Sequence, residues 1–264
     1  MAIDTGPLLA VHALGAAEQL VAVNALDDGR LPDDATWTGR RLDQRFPPLE
    51  AIIDLEPDLV VSGDNEAFEP GAFGDRYALA DRGIASFLFA EAATEGDDDA
   101  DPVTLESTWA DLTALGTALG RDEAAAQLVA DQRAELSAVP GGSAVPGGNE
   151  SVVLVVDDWF ADGSMLTAGG VAVVSDLLRR AGCRGTFDDR PWAYGTVAAD
   201  DLAERPPEGV LVSDYGRRSV DEKLRRLGRI VDLHGVGVVV LPLHTTVEGV
   251  GNAEAIAELA VLQK

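Results

Sequence analysis

The chain has 264 residues, 46% of them hydrophobic, which is ample for a buried core and excludes a disordered protein. Asp and Glu number 46 against 20 Lys and Arg, and a net charge of -26 argues against a nucleic-acid partner because it repels phosphate. The single cysteine, Cys183, excludes an internal disulfide and a multi-cysteine metal site. The apolar runs are far shorter than the roughly 18 residues that a membrane span needs.

The acidic balance comes with a near absence of lysine. Only Lys223 and Lys264 are lysines, so the remaining basic residues are arginines. We expect a protein adapted to strong salt, in which the self-repulsion of a very acidic chain is screened. The alternative is an acidic surface that recruits cations.

Short runs rich in Val, Ile and Leu predict buried strands along the whole chain. These runs lie at residues 20–25, 58–62, 84–90, 152–157, 209–213 and 236–242. Helical patterns separate them, at residues 8–14, 49–55, 105–119, 171–181, 221–233 and 253–262. Strands alternating with helices predict an α/β fold with parallel sheets.

One region departs from this alternation. Residues 103–139 contain two helical segments and no strand, and a repeat of Pro and Gly follows them. We therefore predict an N-terminal α/β lobe over residues 1–120, a connecting helix over 121–138, a Pro/Gly loop over 139–150 and a C-terminal α/β lobe over 151–264. Two such Rossmann-like lobes joined by a long helix would form a ligand cleft between them, since open α/β sheets bind ligands beyond the carboxyl ends of their strands.

Five segments, in order, resemble substrate-binding proteins of ABC importers with a helical backbone (class III), which carry vitamin B12, haem and ferric siderophores. They are Pro48–Val61; Leu115–Gly120; Leu166–Gly170 with Asp176–Gly182; Pro191-Trp192 with Asp201–Pro206 and Val210–Ser213; and Val238–Pro242 with Ala255–Ala260.

The resemblance implies a monomeric binding protein without catalytic residues, cofactor or resident metal. Its ligand would be a metal chelate, either a corrinoid or a ferric siderophore, delivered to an ABC permease at the membrane surface. The protein would act outside the cytoplasm, associated with the membrane, if an export signal is missing from the printed chain, and in the cytoplasm otherwise.

Candidate ligand residues follow the carboxyl ends of the predicted strands, where aromatic rings can stack on a planar chelate and arginines can pair with carboxylates. Trp37 lies in a Thr-Trp-Thr-Gly segment similar to a tryptophan loop of cobalamin-binding members, and Pro191-Trp192 occupies a loop that matches the family. A solvated arginine patch and aromatic rings that simply cover the sheet are the alternatives. The candidates are Trp37, Arg40, Arg41, Arg45 and Asp64 in the first lobe, and Trp159, Phe160, Trp192, Tyr194, Tyr215, His244 and Glu248 in the second.

Acidic residues are also expected to meet arginines of the permease, one on each lobe. Glu50 matches the family position in the first lobe, whereas Ala199 stands at the matching position of the second, beside Asp200 and Asp201.

Two other readings remain open. An intracellular binding or sensing protein of the same fold is favoured by the lack of an export signal in the printed chain. The family's first strand is also hard to find, because only Ala2-Ile3 stand before Gly6, so either the start is truncated or the first lobe has lost a strand. An α/β enzyme is the second alternative, although the chain has no Gly-x-Ser-x-Gly elbow, no dinucleotide fingerprint and no Walker loop.

Overall fold

The computed structural model describes residues 1–24, 37, 39–42, 46–69, 72, 75–97, 99–139, 150–216 and 218–263. The chain divides into two compact units. The first unit comprises Met1–Ala93, Ser107–Ala130 and Glu248–Val250, and the second comprises Thr94–Glu106, Asp131–Val247 and Gly251–Lys264.

The first unit contains a five-stranded parallel sheet. Its strands are β1 (Ala2–Ile3), β2 (Ala22–Asn24), β3 (Arg40–Leu42), β4 (Leu59–Ser62) and β5 (Ala85–Leu88), in the order β3-β2-β1-β4-β5. The first strand, which the sequence left in doubt, is therefore present at the centre of the sheet. Ala2 pairs with Val23 on one side and Val61 on the other. Because both of its residues are fully buried, two residues suffice for a central strand.

Six helices accompany this part of the chain. They are α1 (Thr5–Ala13), α2 (Leu49–Ile53), α3 (Arg76–Ala80), α4 (Ala90–Ala93), α5 (Leu105–Ala118) and α6 (Asp122–Ala138). The break between α5 and α6 falls at Gly120, whose φ of 67° is accessible to glycine without strain. Gly116 is required for another reason, since a Cβ there would lie 2.4 Å from the Cβ of Ala125.

The second unit contains a four-stranded parallel sheet and a small antiparallel one. The strands are β6 (Ser151–Val156), β7 (Asp158–Trp159), β8 (Met165–Ala168), β9 (Cys183–Gly185), β10 (Tyr194–Val197), β11 (Gly209–Asp214) and β12 (Gly237–Pro242). The parallel order is β12-β11-β6-β9, and the antiparallel order is β10-β8-β7. The helices are α7 (Val173–Arg180), α8 (Ala199–Glu204), α9 (Val220–Leu227), α10 (Leu243–Thr246) and α11 (Asn252–Leu259).

The predicted strands are confirmed, since each overlaps one of β2, β4, β5, β6, β11 and β12. The predicted connecting helix corresponds to α6, whose residues divide between the two units after Ala130. The units also differ from the predicted lobes in two short segments, because residues 94–106 belong to the second unit and residues 248–250 to the first. In the part of the chain that the structure describes, no helix has the length and apolar character to cross a membrane.

Candidate functional site

The carboxyl ends of β6 and β11 are adjacent in the parallel sheet of the second unit, where Val156 pairs with Val212. The segment Asp157–Phe160 follows β6 and the segment Tyr215–Gly216 follows β11. This is the edge at which open parallel sheets bind ligands.

The two neighbouring aromatic residues after β6 have different environments. Trp159 is 2% exposed and belongs to the hydrophobic core with Phe187, because β7 pairs it with Met165 of β8. Phe160 is 45% exposed. The prediction that Trp159 stacks on a ligand therefore does not fit the structure, whereas Phe160 remains available.

Trp192 lies in the loop before β10 and is half-buried against the same core. Two glycines make room for its indole ring. A Cβ on Gly169 would lie 2.5 Å from ring atom Cε3, and a Cβ on Gly195 would lie 2.8 Å from Cδ2. The indole thus rests directly on backbone, which fixes its plane, and Tyr194 is half-buried two residues further on.

The buried polar residues beneath this edge were not predicted from the sequence. Lys223 of α9 is fully buried, and its ammonium donates to the carbonyl oxygens of Asp157, Ser213 and Tyr215, the last two at 2.7 and 2.8 Å. In addition, Arg218 forms an ion pair with Asp158 at 3.2 Å.

Asp157 itself is buried at 3% exposure, and its Oδ1 has no hydrogen-bond partner among the residues that the structure describes. Burial raises the pKa of this carboxyl to about 6, against the opposing effects of the Ser213 side chain and the positive charge of Lys223. The group therefore titrates just below neutral pH. The rarity of lysine in this chain is the one sequence signal that could have drawn attention to Lys223.

The first-lobe candidates divide into exposed and structural residues. Arg40 and Arg41 are exposed on β3, and Trp37 is half-buried. Asp64 has a local role, because its carboxylate accepts a hydrogen bond of 2.9 Å from the backbone of Glu66 and caps a short 3₁₀ helix. Arg45 lies outside the described residues.

Glu248 was predicted as a ligand residue, but the structure places it inside a cluster of carboxyl groups in the first unit. It is 5% exposed, and its Oε2 accepts a hydrogen bond of 2.7 Å from the backbone of Glu91. The backbone of Glu248 in turn donates to Oε2 of Glu91 at 2.9 Å. Asp111 completes the cluster, and its carboxylate accepts a hydrogen bond of 2.7 Å from the backbone N–H of Ala90. Burial removes Glu248 from the surface that a ligand could touch.

Burial and the neighbouring Asp111 and Glu91 raise the pKa of Glu248 to about 9. The pKa of Asp111 is also raised, mainly by burial. Glu248 is consequently protonated at neutral pH. His244 is half-buried on α10.

The predicted docking acids are accessible. Glu50 and Asp200 are exposed in the first turns of α2 and α8. Asp201 is half-buried. Its carboxylate accepts a hydrogen bond of 3.1 Å from the backbone N–H of Ala198 and lies 3.8 Å from the Arg190 guanidinium. Asp201 therefore has a structural role in beginning α8.

Metal and thiol chemistry find little support in the described ranges. No group of three or more His, Cys, Asp or Glu side chains there could hold a metal ion. Cys183 is buried, and burial raises the pKa of its thiol to about 11, which keeps it unreactive at neutral pH.

The first unit contains a cavity of about 380 Å³. It is lined by residues at the amino ends of the strands, among them Met1, Leu20 and Leu59. Among the residues that the structure describes, none of the predicted ligand residues lines this cavity.

A family model described as "Periplasmic binding protein" matches residues 1–227. No curated protein matches the chain.

Many solved structures share the fold, among them the following three. A periplasmic binding protein from Veillonella parvula has a TM-score of 0.78 at 16% identity, covering 99% of this chain and 90% of that chain. The ABC-type Fe³⁺-hydroxamate transport protein from Saccharomonospora viridis has a TM-score of 0.78 at 17% identity, covering 99% and 91%. The periplasmic heme-binding protein from Roseiflexus, in its apo form, has a TM-score of 0.74 at 20% identity, covering 99% and 95%.

Proposed function

Since the chain belongs to the periplasmic binding protein family, we propose that it is the substrate-binding component of an ABC importer for a ferric chelate. The family is one of binding proteins, so the activity is capture and delivery rather than catalysis. The solved structures of similar fold include proteins named for ferric hydroxamate and for heme. The ligand we propose is of this class, a ferric siderophore or haem.

The observation that carries the proposal is a set of partly accessible aromatic side chains in the second unit. Phe160 and Tyr215 follow adjacent strands, and Phe160 is 45% exposed. Trp192 and Tyr194 are half-buried just before and at the start of β10, which pairs there with the end of β8 distant from Phe160, and the indole of Trp192 is fixed on glycine backbone. Flat rings held in this way suit a large, rigid chelate, which buries much apolar area without needing to be enclosed.

A corrinoid is the second candidate, because the Thr-Trp-Thr-Gly segment around Trp37 resembles a tryptophan loop of cobalamin-binding members. Trp37 is half-buried in the structure, so part of its ring is accessible.

Delivery would require a permease. We propose Glu50 and Asp200 as the acids that meet its arginines, since both are exposed on the second residue of a helix. Asp201 is retained beside Asp200 as a supporting residue. The protein would then act, as a monomer, outside the cytoplasm and against the membrane surface.

The deciding experiment is a titration of the purified chain, in about 2 M KCl to screen its charge, with ferrioxamine B, haemin and cyanocobalamin. Tryptophan fluorescence reports binding. Saturable quenching by ferrioxamine B or haemin supports the ferric-chelate proposal, quenching by cyanocobalamin alone supports the corrinoid, and no binding of any of the three contradicts both.

Replacement of the stacking residue tests the location of the site. Trp192→Ala should weaken binding by about 1–3 kcal/mol, because a stacked ring is lost at a fixed position. Tyr77→Ala is the matched control, since it removes an aromatic ring that is 81% exposed on α3 of the first unit. Isothermal titration calorimetry measures the affinity of both variants. Equal affinities would exclude Trp192 from the site.

A further inference from the structure

The chain uses arginine almost everywhere, yet a lysine occupies the most deeply buried cationic position that the structure describes. Lys223 is 0% exposed, and the only other lysine in the sequence is Lys264. A buried ammonium is costly unless every donor is satisfied. The choice of lysine here therefore needs a reason specific to its surroundings.

The reason lies in the geometry of the ammonium group. Its Nζ donates to three carbonyl oxygens, those of Asp157, Ser213 and Tyr215. An ammonium presents three donors around one atom, whereas a guanidinium presents its donors in a flat fork. Three carbonyls that converge on one point can thus be satisfied by lysine and not by arginine.

These carbonyls belong to the two segments that carry candidate ligand residues. Asp157 follows β6 and leads to Phe160, while Ser213 belongs to β11 and leads to Tyr215. The ammonium therefore joins the two chain segments at the point where they leave the sheet.

A second tie joins the same segments further from the sheet. Arg218, beyond Tyr215, lies 3.2 Å from Oδ1 of Asp158, and Glu222 of α9 lies 3.6 Å from Arg218. The Tyr215 ring centroid is 6.0 Å from Nζ of Lys223, at the outer limit of a cation–π contact. The segments after β6 and β11 are thus held to α9 by two sets of contacts, those of Lys223 and those of Arg218.

We propose that Lys223 is a positioning residue for ligand binding, which holds the segments after β6 and β11 so that Phe160 and Tyr215 present their rings to the chelate. Lys223 does not touch the ligand, and its effect is the preorganisation of the residues that do. The proposal rests on the proposed function, because it assigns a role within that same site.

The first test removes the ammonium and keeps the stem. Lys223→Met should weaken the affinity for ferrioxamine B or haemin, whichever the unaltered protein binds, by about tenfold or more. Lys223→Arg should recover only part of the loss, because the planar group cannot meet all three carbonyls. Arg225→Met is the matched control, because it removes the same charge from an exposed residue of the same helix. Its affinity should stay within about twofold.

A double-mutant cycle separates positioning from simple stabilisation. If Lys223 acts through Tyr215, the affinity losses of Lys223→Met and Tyr215→Leu should be far from additive, since either change removes the same positioned ring. Additive losses, or an unchanged affinity in folded Lys223→Met, would overturn the proposal. Failure of the unaltered protein to bind any chelate would instead overturn the proposed function, so the two failures are distinguishable.

A measurement on the unaltered protein covers the case in which Lys223→Met does not fold. Acetylation of Lys223 requires its ties to open, and the buried thiol of Cys183 on β9 reports general opening of the same unit. Bound chelate should slow acetylation of Lys223, followed by mass spectrometry, by about tenfold more than it slows thiol labelling of Cys183. Equal slowing of the two reactions would contradict a specific link between Lys223 and the ligand.

Discussion

The first unit buries Glu248 among other carboxyl groups, whereas the second unit buries Asp157 beside an ammonium. Glu248 is 5% exposed and Asp157 is 3% exposed, so desolvation is severe for both. Their pKa values differ in spite of this, at about 9 for Glu248 and about 6 for Asp157. The positive charge of Lys223 favours the ionised form of Asp157, and the negative charges of Asp111 and Glu91 oppose the ionised form of Glu248.

Two acids with similar burial therefore have different charge states at neutral pH. Glu248 carries its proton, so the cluster of carboxyls is a set of hydrogen bonds in which one acid can donate. Asp157 is largely ionised at neutral pH, and the fully buried ammonium of Lys223 lies close enough to act on it. The acid buried in the first unit, Glu248, is therefore neutral. The acid buried in the second unit, Asp157, is charged and has the cation Lys223 beside it.

The largest expected effect is the pH dependence that Glu248 gives to the first unit. Because its pKa is raised from 4.5 to about 9, the stabilisation from its protonated form is complete below about pH 4.5 and is lost as the pH rises through about 9. The loss should amount to several kcal/mol, since each unit of pKa shift corresponds to about 1.4 kcal/mol.

Glu248→Gln keeps the shape of the protonated acid and cannot ionise. Denaturant unfolding in strong salt, followed at several pH values between about 5 and 9, should show a falling free energy of unfolding for the unaltered protein and a much flatter one for Glu248→Gln. Parallel curves for the two proteins would mean that Glu248 is already ionised in the folded protein over this pH range.

The next effect concerns Asp157. Its raised pKa of about 6 means that ionisation destabilises the fold, and the stabilisation present below about pH 3.8 is lost as the pH rises through about 6. At about pH 7.5, Asp157→Asn should therefore increase the free energy of unfolding by about 2–3 kcal/mol. The melting temperature, measured by circular dichroism, should rise accordingly.

The same variant at about pH 4 supplies the control, because Asp157 is then protonated and the substitution should have little effect. A lower melting temperature at pH 7.5 would show that the attraction between Asp157 and Lys223 outweighs the cost of burial, and would reverse the sign of the comparison.

The fold was largely predictable, because its longer strands are continuous apolar runs. Residues of β6, β11 and β12 stand out in this way, each with six residues in the structure. The two-residue β1 could not be found from its pattern, since Ala2-Ile3 is too short to show a period and becomes a strand through its pairing with β2 and β4. The antiparallel sheet of the second unit was not predicted either, because its strands are also too short to show a period.

The candidate site was predictable only in part. The strand ends indicated where Phe160 and Tyr215 would lie, and the family resemblance indicated Trp192. The sequence could not decide which residue of the Trp159-Phe160 pair is buried, because this depends on the pairing of Trp159 with Met165 across β7 and β8. The rarity of lysine distinguishes Lys223, but it does not indicate that the side chain is buried, since a lysine on a charged helix is ordinarily solvated.

The smallest expected effect concerns the dependence of stability on salt. We expect the protein to lose stability when KCl is lowered from about 2 M to about 0.2 M, because the Debye length grows and the surface carboxylates repel one another more strongly. The carboxyls of Glu248 and Asp157 are inaccessible to these ions. The changes in unfolding free energy caused by Glu248→Gln and Asp157→Asn should therefore differ by less than about 0.5 kcal/mol between the two salt concentrations.

Glu135→Gln is the surface counterpart, since Glu135 is exposed near the end of α6, where the helix dipole already disfavours a negative charge. Neutralising it should stabilise the protein by about 0.3–1 kcal/mol in low salt and by less in high salt, because exposed charges are screened. Denaturant unfolding of the three variants at both concentrations measures the contrast. Salt sensitivity of the buried variants equal to that of Glu135→Gln would show that solvent ions reach the interior carboxyls, and the distinction between buried and surface acids would fail.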